Sequence, residues 1–334
     1  MSENDQNLIS GEISQLWANY MNDSMAICML SYFKENVEDQ EVLPIIEYAL
    51  ELSESHIETL TNLFQKHNFP IPIGFTKEDV NLQAPRLYSD MYYLYFLQFW
   101  GATGLNGYGL SLLLAANEEV IQYFSKCIDE SKELLNRTSN ILLAKGAFIK
   151  TPYIPIPEKV DFIHKESFLS GWFGERRPLT TIEIANLFAN KQRNILFQTT
   201  LIGFSQVVKD NDVSKIIKKG LEILKNNIDT YDEKVRESHL PAPEPWDTLV
   251  TTSTTSPYSD KLILFHLASL INMGIGLYGT SLGLSPRTDL SALNIKIISK
   301  LLLFAEDTTS IMIEKGWMEQ PPSAVNRKDL ADNK

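Results

Sequence analysis

The chain carries the same text twice. Residues 12–19, EISQLWAN, lie over residues 183–190, EIANLFAN: Glu12, Ile13, Leu16, Ala18 and Asn19 recur as Glu183, Ile184, Leu187, Ala189 and Asn190. At the same offset of 171 (183 − 12), Pro70, Pro72 and Phe75 meet Pro241, Pro243 and Trp246. One residue less, 170, sets Tyr88-Ser89-Asp90 over Tyr258-Ser259-Asp260, YGLSL (108–112) over YGTSL (278–282), and Lys145-Gly146 over Lys315-Gly316. Each copy is the size of a domain. The expected organisation is one unit over 1–150, a Pro- and aromatic-rich linker over 151–179, and a second unit over 180–334. The linker opens TPYIPIP and shows no helical period, so its aromatics are expected to pack on the surface of the units.

Each copy reads as four helices. In the first, Ile13, Leu16, Trp17, Tyr20, Ala26, Ile27, Leu30 and Phe33 recur at three-to-four spacing, as do Leu43, Ile46, Leu50, Ile57, Leu60 and Phe64. Pro44 suits a first helical turn, where its missing N–H does no harm. After a Pro- and Gly-punctuated stretch, Ser89 and Asp90 open a third helix rich in aromatics. A fourth ends at Lys145-Gly146, a basic last turn with a glycine stop. Helices 1–2 and 3–4 have short links and must be antiparallel. A 27-residue helix is about 40 Å long, and twenty extended residues reach about 66 Å. The long link can therefore run the length of the bundle and start helix 3 beside the start of helix 2. The expected fold is all-α, a tandem duplication of a ferritin-like up-down-down-up four-helix bundle.

This disposes of two motif matches in GIGLYGTSLG (274–283). Gly274, Gly276 and Gly279 spell the dinucleotide pattern, and Gly279, Ser281 and Gly283 the serine nucleophile elbow. Both need a strand before the turn, and this stretch falls inside a helix. The glycines kept in both copies, Gly104/Gly274 and Gly109/Gly279, are expected to let a neighbouring backbone approach or to leave room for a ligand.

Ferritin-like bundles that bind two metals carry Glu-x-x-His on two helices. No histidine here has that partner: three residues before His56, His67, His164, His239 and His266 stand Ser53, Phe64, Asp161, Arg236 and Ile263. Counting turns from the helix ends, however, brings His56, Asp23 and Glu130 to one level of the first bundle. Imidazole and carboxylates suit iron, zinc or manganese. In the second copy Asn227 and Lys300 replace His56 and Glu130, so only the first bundle offers this metal site. His266, within KLILFHLAS, is expected to be a buried, hydrogen-bonded core residue. Tyr88, Tyr92, Tyr93 and Tyr95 cover more than one helix face, so some should reach the other bundle or a second chain.

The formal net charge of −12 opposes a general affinity for nucleic acid. Two cysteines, Cys28 and Cys127, make no disulfide framework and are expected to be free thiols. No secretory signal and no uninterrupted apolar run of membrane-spanning length is visible, so a cytoplasmic protein without membrane insertion is expected.

Three segments, PIPIGFTKEDVNLQAPRLYSD (70–90), YSDKLILFH (258–266) and GWMEQPPSAVNRKDL (316–330), resemble domain of unknown function family 3231 from Bacillus-type spore-forming bacteria. The resemblance spans both copies. It implies a ferritin-like fold, a loose relation to coat F-type spore proteins and a forespore or spore location, and it supplies no catalytic residue set. Three roles are then expected: a non-catalytic protein acting through spore-coat partners or as a homodimer, a metal-binding protein using the first bundle, or a small-molecule binder with an interhelical pocket.

Overall fold

The computed structural model describes residues 7–171, 176–241 and 246–332. Trp172, Phe173 and Pro243, which the repeat and the linker bring into question, lie outside the described residues.

The first copy forms α1 (Ser10–Asn36), α2 (Leu43–Lys66), α3 (Asp90–Leu113) and α4 (Glu118–Ala144). The second forms α5 (Thr181–Val207), α6 (Asn211–Arg236), α7 (Asp260–Leu284) and α8 (Thr288–Glu314), and a short α9 (Arg327–Asp332) follows. Caps place the boundaries. Ser89 and Ser259 accept the N–H groups of Tyr92 and Leu262 at 3.5 and 3.1 Å. Gly146 and Gly316, both at φ 66°, close α4 and α8 in the left-handed conformation that glycine adopts without strain.

Asp90 and Asp260 tie each bundle together at one end. Asp90 accepts the N–H groups of Glu38 and Asp39, in the α1–α2 turn, at 3.3 and 3.0 Å. Asp260 does the same for Lys209 and Asp210 at 3.2 and 2.8 Å. Lys145, after α4, pairs with Asp39 at 2.8 Å in that same turn. At the opposite end of the first bundle, Ser111 donates to Gln15 at 2.8 Å and Lys66 pairs with Glu119. So α2 and α3 run parallel, the 67–89 segment crosses the full bundle, and the order is up-down-down-up.

The two copies meet around a pseudo-twofold axis. The crossover segments form antiparallel bridges, Val80 with Tyr258 and Tyr88 with Val250. Val250 and Tyr258 are the second-copy equivalents of Val80 and Tyr88 (80 + 170, 88 + 170), so the contact is self-complementary in the manner of a symmetric dimer. Tyr88 donates to the Thr200 carbonyl at 2.6 Å, the Tyr92 and Thr200 hydroxyls lie 2.8 Å apart, and Tyr95 stacks on Trp246 at 4.0 Å. The tyrosines of α3 thus reach the other bundle, and one buried apolar cluster runs through both copies. A smaller cluster around Leu16, Leu60, Phe64 and Phe124 fills the far end of the first bundle.

Gly203 is where α5 passes the Tyr88 ring. A Cβ there would lie 2.4 Å from the Tyr88 hydroxyl and 2.5 Å from ring carbons. Tyr88 is fully buried and stacked on Tyr92 at 4.0 Å, so it has nowhere to retreat. Gly203→Ala is expected to destabilise the protein by about 1–3 kcal/mol, read by urea denaturation, and Gly203→Ala with Tyr88→Leu to recover part of the loss.

His266 is buried, but neither ring nitrogen has a hydrogen-bond partner, so it is not the satisfied core histidine expected. Its ring lies against Phe96 and Phe204, aromatic groups that offer no acceptor. The linker aromatics Tyr153 and Phe162 stand 90% and 77% exposed rather than packed on the bundles. Gly104 does sit against Ser131 on α4, but Gly109 and Gly279 face open space. By length and composition α7 is apolar enough to cross a membrane, and half of that window is buried inside the bundle.

Candidate metal centre

The three residues selected by counting turns do meet. His56 projects from the middle of α2 between α1 and α4. Its Nδ1 lies 3.1 Å from Asp23 Oδ2, and its Nε2 lies 2.8 Å from Glu130 Oε2. The two carboxylates therefore approach opposite edges of one imidazole.

A fourth group joins on the Nε2 side. Cys127 Sγ is 3.5 Å from His56 Nε2, and the ligand atoms of His56, Cys127 and Glu130 all lie within 4.8 Å of one another. His56 and Cys127 are buried and Glu130 is nearly so. Sequence reasoning expected Cys127 to be a free thiol, as it is, and gave it no part in the site. The available signal was its spacing: Cys127 and Glu130 stand three apart on α4, one above the other on the same helix face, as the Glu and His of a Glu-x-x-His pair do.

The Asp23 side is built differently. Asp23 accepts a hydrogen bond from Asn19 Nδ2 at 3.0 Å, and Asn19 also bonds the Tyr123 hydroxyl. Asp23 is thus held in place and in turn fixes the ring through Nδ1–H. Tyr123 and Tyr108 pack edge-on around the imidazole, with centroids 5.7 and 6.1 Å away.

The electrostatics favour a cation at this point. Burial alone would push the His56 pKa down, but the charge of Asp23 and hydrogen bonds with Asp23, Cys127 and Glu130 override it and raise the pKa to about 12. The proton on Nε2 occupies the place open to a metal. Burial raises the Cys127 thiol pKa, opposed in part by His56.

The donor set fits one transition-metal ion. Tetrahedral zinc with usual bond lengths sets nitrogen and sulfur ligands about 3.6 Å apart, close to the 3.5 Å found between Nε2 and Sγ. The Nε2–Glu130 hydrogen bond would open by roughly 0.5 Å. Between α2 and α4, a surface groove lined by Thr59, Lys66, Tyr123 and Lys126 ends one helical turn from His56. Lys126 spans from Ser55 to Glu130 at its inner end.

The second bundle has none of this at the equivalent level: Asn194, Asn227, Ile297 and Lys300 stand where the first has Asp23, His56, Cys127 and Glu130. Among the described residues, the His56 cluster is the group with metal-ligating geometry.

Comparison with known proteins places the chain by sequence. The family described as protein of unknown function (DUF3231) matches residues 1–160 and again 167–330. No curated protein matches. A solved structure from Bacillus halodurans C-125, designated a "putative spore coat protein", is similar at 17% identity, covering 46% of this chain and 100% of its own, with a TM-score of 0.42.

Proposed function

Because the chain belongs to the DUF3231 family of proteins of unknown function, which brings no activity with it, we propose from the site itself that this is a metal-binding protein whose first bundle holds one ion. The observation that carries the reading is the convergence of His56 Nε2, Cys127 Sγ and Glu130 in a buried space. These three would be the ligands, with zinc the best fit. A thiolate disfavours manganese, and imidazole, thiolate and carboxylate together are a borderline set. Asp23 would act from outside, holding Nδ1–H as the carboxylate partners of metal-bound histidines do. Three protein ligands leave a fourth position open, the arrangement of zinc sites that bind water or substrate.

The test is titration of the apo protein with cobalt(II), which reports thiolate ligation through a charge-transfer absorption. One equivalent is expected to bind. Cys127→Ser should lose the charge-transfer band, and His56→Ala should lose stoichiometric binding. Asp23→Asn should weaken affinity by about 10–100-fold, the usual effect of removing an outer partner. Uptake that is absent in the wild type, or unchanged in a His56→Ala/Cys127→Ser double variant, would falsify the reading.

A further inference from the structure

The two copies carry opposite charge on matching outer faces. In the first bundle the helices stand at the corners of a square, with α1 and α3 along one side and α2 and α4 along the other. In the second, α5 and α7 form one side and α6 and α8 the other. The joint between the bundles uses the α1/α3 and α5/α7 sides, as in the contacts of Phe99 with Phe197 and Phe96 with His266. The α2/α4 and α6/α8 sides therefore look outward, at opposite ends of the molecule. In the first copy, residues 47–54 and 126–133 carry six carboxylates and two lysines, a net −4. Their equivalents, residues 218–225 and 296–303, carry five lysines and one carboxylate, a net +4. Glu47, Glu54 and Glu130 have become Lys218, Lys225 and Lys300 (47 + 171, 54 + 171, 130 + 170).

Much of this charge is unmatched within the chain. Glu51, Glu54, Lys218, Lys225, Lys296 and Lys300 are exposed, and none belongs to an ion pair among the described residues. The apolar pattern differs as well. Ser125, Lys132 and Glu133 of α4 become Ile295, Leu302 and Leu303 on α8 (125 + 170, 132 + 170, 133 + 170). These three stand 53%, 54% and 64% exposed, on the same helix as Lys296 and Lys300. Exposed apolar groups rimmed by charge have the make-up of a protein-docking surface. The sign of the partner follows from the basic rim. A chain of net charge −12 repels other copies of itself over most of its surface, but here a basic face can meet the acidic face of another copy.

We propose that the chain assembles head to tail, the α6/α8 face of one copy seating on the α2/α4 face of the next. Neither face can pair with itself, since like charges would meet across the twofold axis. The contact therefore joins two different surfaces. Each added copy still presents one free acidic face and one free basic face on opposite sides, so assembly continues beyond a dimer. The joint inside the chain is symmetric and closed, whereas the joint between chains has a direction.

Sedimentation velocity on the full-length protein tests this. At about 20 mM salt, where surface charges are weakly screened, the average mass should rise with protein concentration past that of a dimer. At about 0.5 M salt it should return to that of the monomer. Lys225→Glu/Lys300→Glu and Glu51→Lys/Glu54→Lys each reverse one face at exposed positions, and far-UV circular dichroism checks that both stay helical. Each variant alone should remain monomeric at low salt. Mixed in equal amounts they should associate again, because the intact basic face of one meets the intact acidic face of the other. A wild type that stays monomeric at low salt, a wild type that stops at a dimer, a variant that assembles as the wild type does, or a mixture of folded variants that does not recover would each overturn the assignment.

Discussion

Metal affinity should climb steeply with pH, by about 100-fold per unit between roughly pH 6 and 8. Two protons stand in the way of the ion. One sits on His56 Nε2, where the two flanking carboxylates and Cys127 raise the pKa to about 12 against the pull of burial. The other is on Cys127, whose thiol is pushed upward by burial. A metal needs neutral imidazole nitrogen and thiolate, so each ligand releases its proton on binding. Below both pKa values every displaced proton contributes one factor of ten per pH unit. Competition titrations across this range should therefore give log Kd a slope near −2. Cys127→Ala removes one of the two protons and should reduce the slope to about −1. A slope near zero in the wild type would mean that the ion sits elsewhere. The imidazolium also neutralises part of the acidic cluster and bridges Asp23 and Glu130.

The parts of this molecule that sequence reasoning reaches are those set by local period and chain length. Apolar spacing gives the eight long helices, and the length of the 67–89 segment forces the crossover, because no short turn could start α3 where it starts. Those two facts suffice to count turns and bring His56, Asp23 and Glu130 to one level. They do not say which ring edge each carboxylate meets. That depends on the roll of α2, and it separates Asp23, on Nδ1, from Glu130 and Cys127, on Nε2. Cys127 was missed because a lone cysteine on an apolar helix face packs as a small hydrophobe more often than it binds.

The joint between the copies is less legible. α3 and α7 are apolar around most of their circumference, which marks a helix buried on all sides, but nothing local tells whether the covering surface is the same bundle, the other bundle or another chain. Tyr88, Tyr92 and Phe96 turn out to be covered by the second copy. Gly203 and Tyr32 show the same limit. They are equivalent positions (32 + 171), yet one must be bare to admit Tyr88, while the other carries a ring that meets Tyr258 edge-on at 5.4 Å. A perfect repeat would clash or leave a hole here, so the pair reports asymmetry that only packing reveals.

His266→Phe should make the protein both more stable and less sensitive to acid. His266 is the second-copy equivalent of Phe96 (96 + 170), and the two rings meet at 5.6 Å between the bundles. Both His266 nitrogens are buried without partners, a cost of about 1–3 kcal/mol that a phenyl ring does not carry. Burial also lowers its pKa from the usual 6.5 to about 3. The unfolded chain therefore takes up a proton as pH falls below 6.5, while the folded protein does not until about pH 3. Between those values the unfolded state binds more protons, so this residue's contribution to stability is complete above pH 6.5 and is lost as pH falls towards 3. The slope is about 1.4 kcal/mol per pH unit, on the order of 5 kcal/mol over the window. Denaturant melts of wild type and His266→Phe at pH 7, 5 and 4 measure both effects. The variant should gain at pH 7 and lose less than the wild type on acidification. Equal pH slopes for the two proteins would show that His266 finds a partner in solution and is protonated in the folded state. The pseudo-twofold joint would then contain a polar contact absent from the arrangement described.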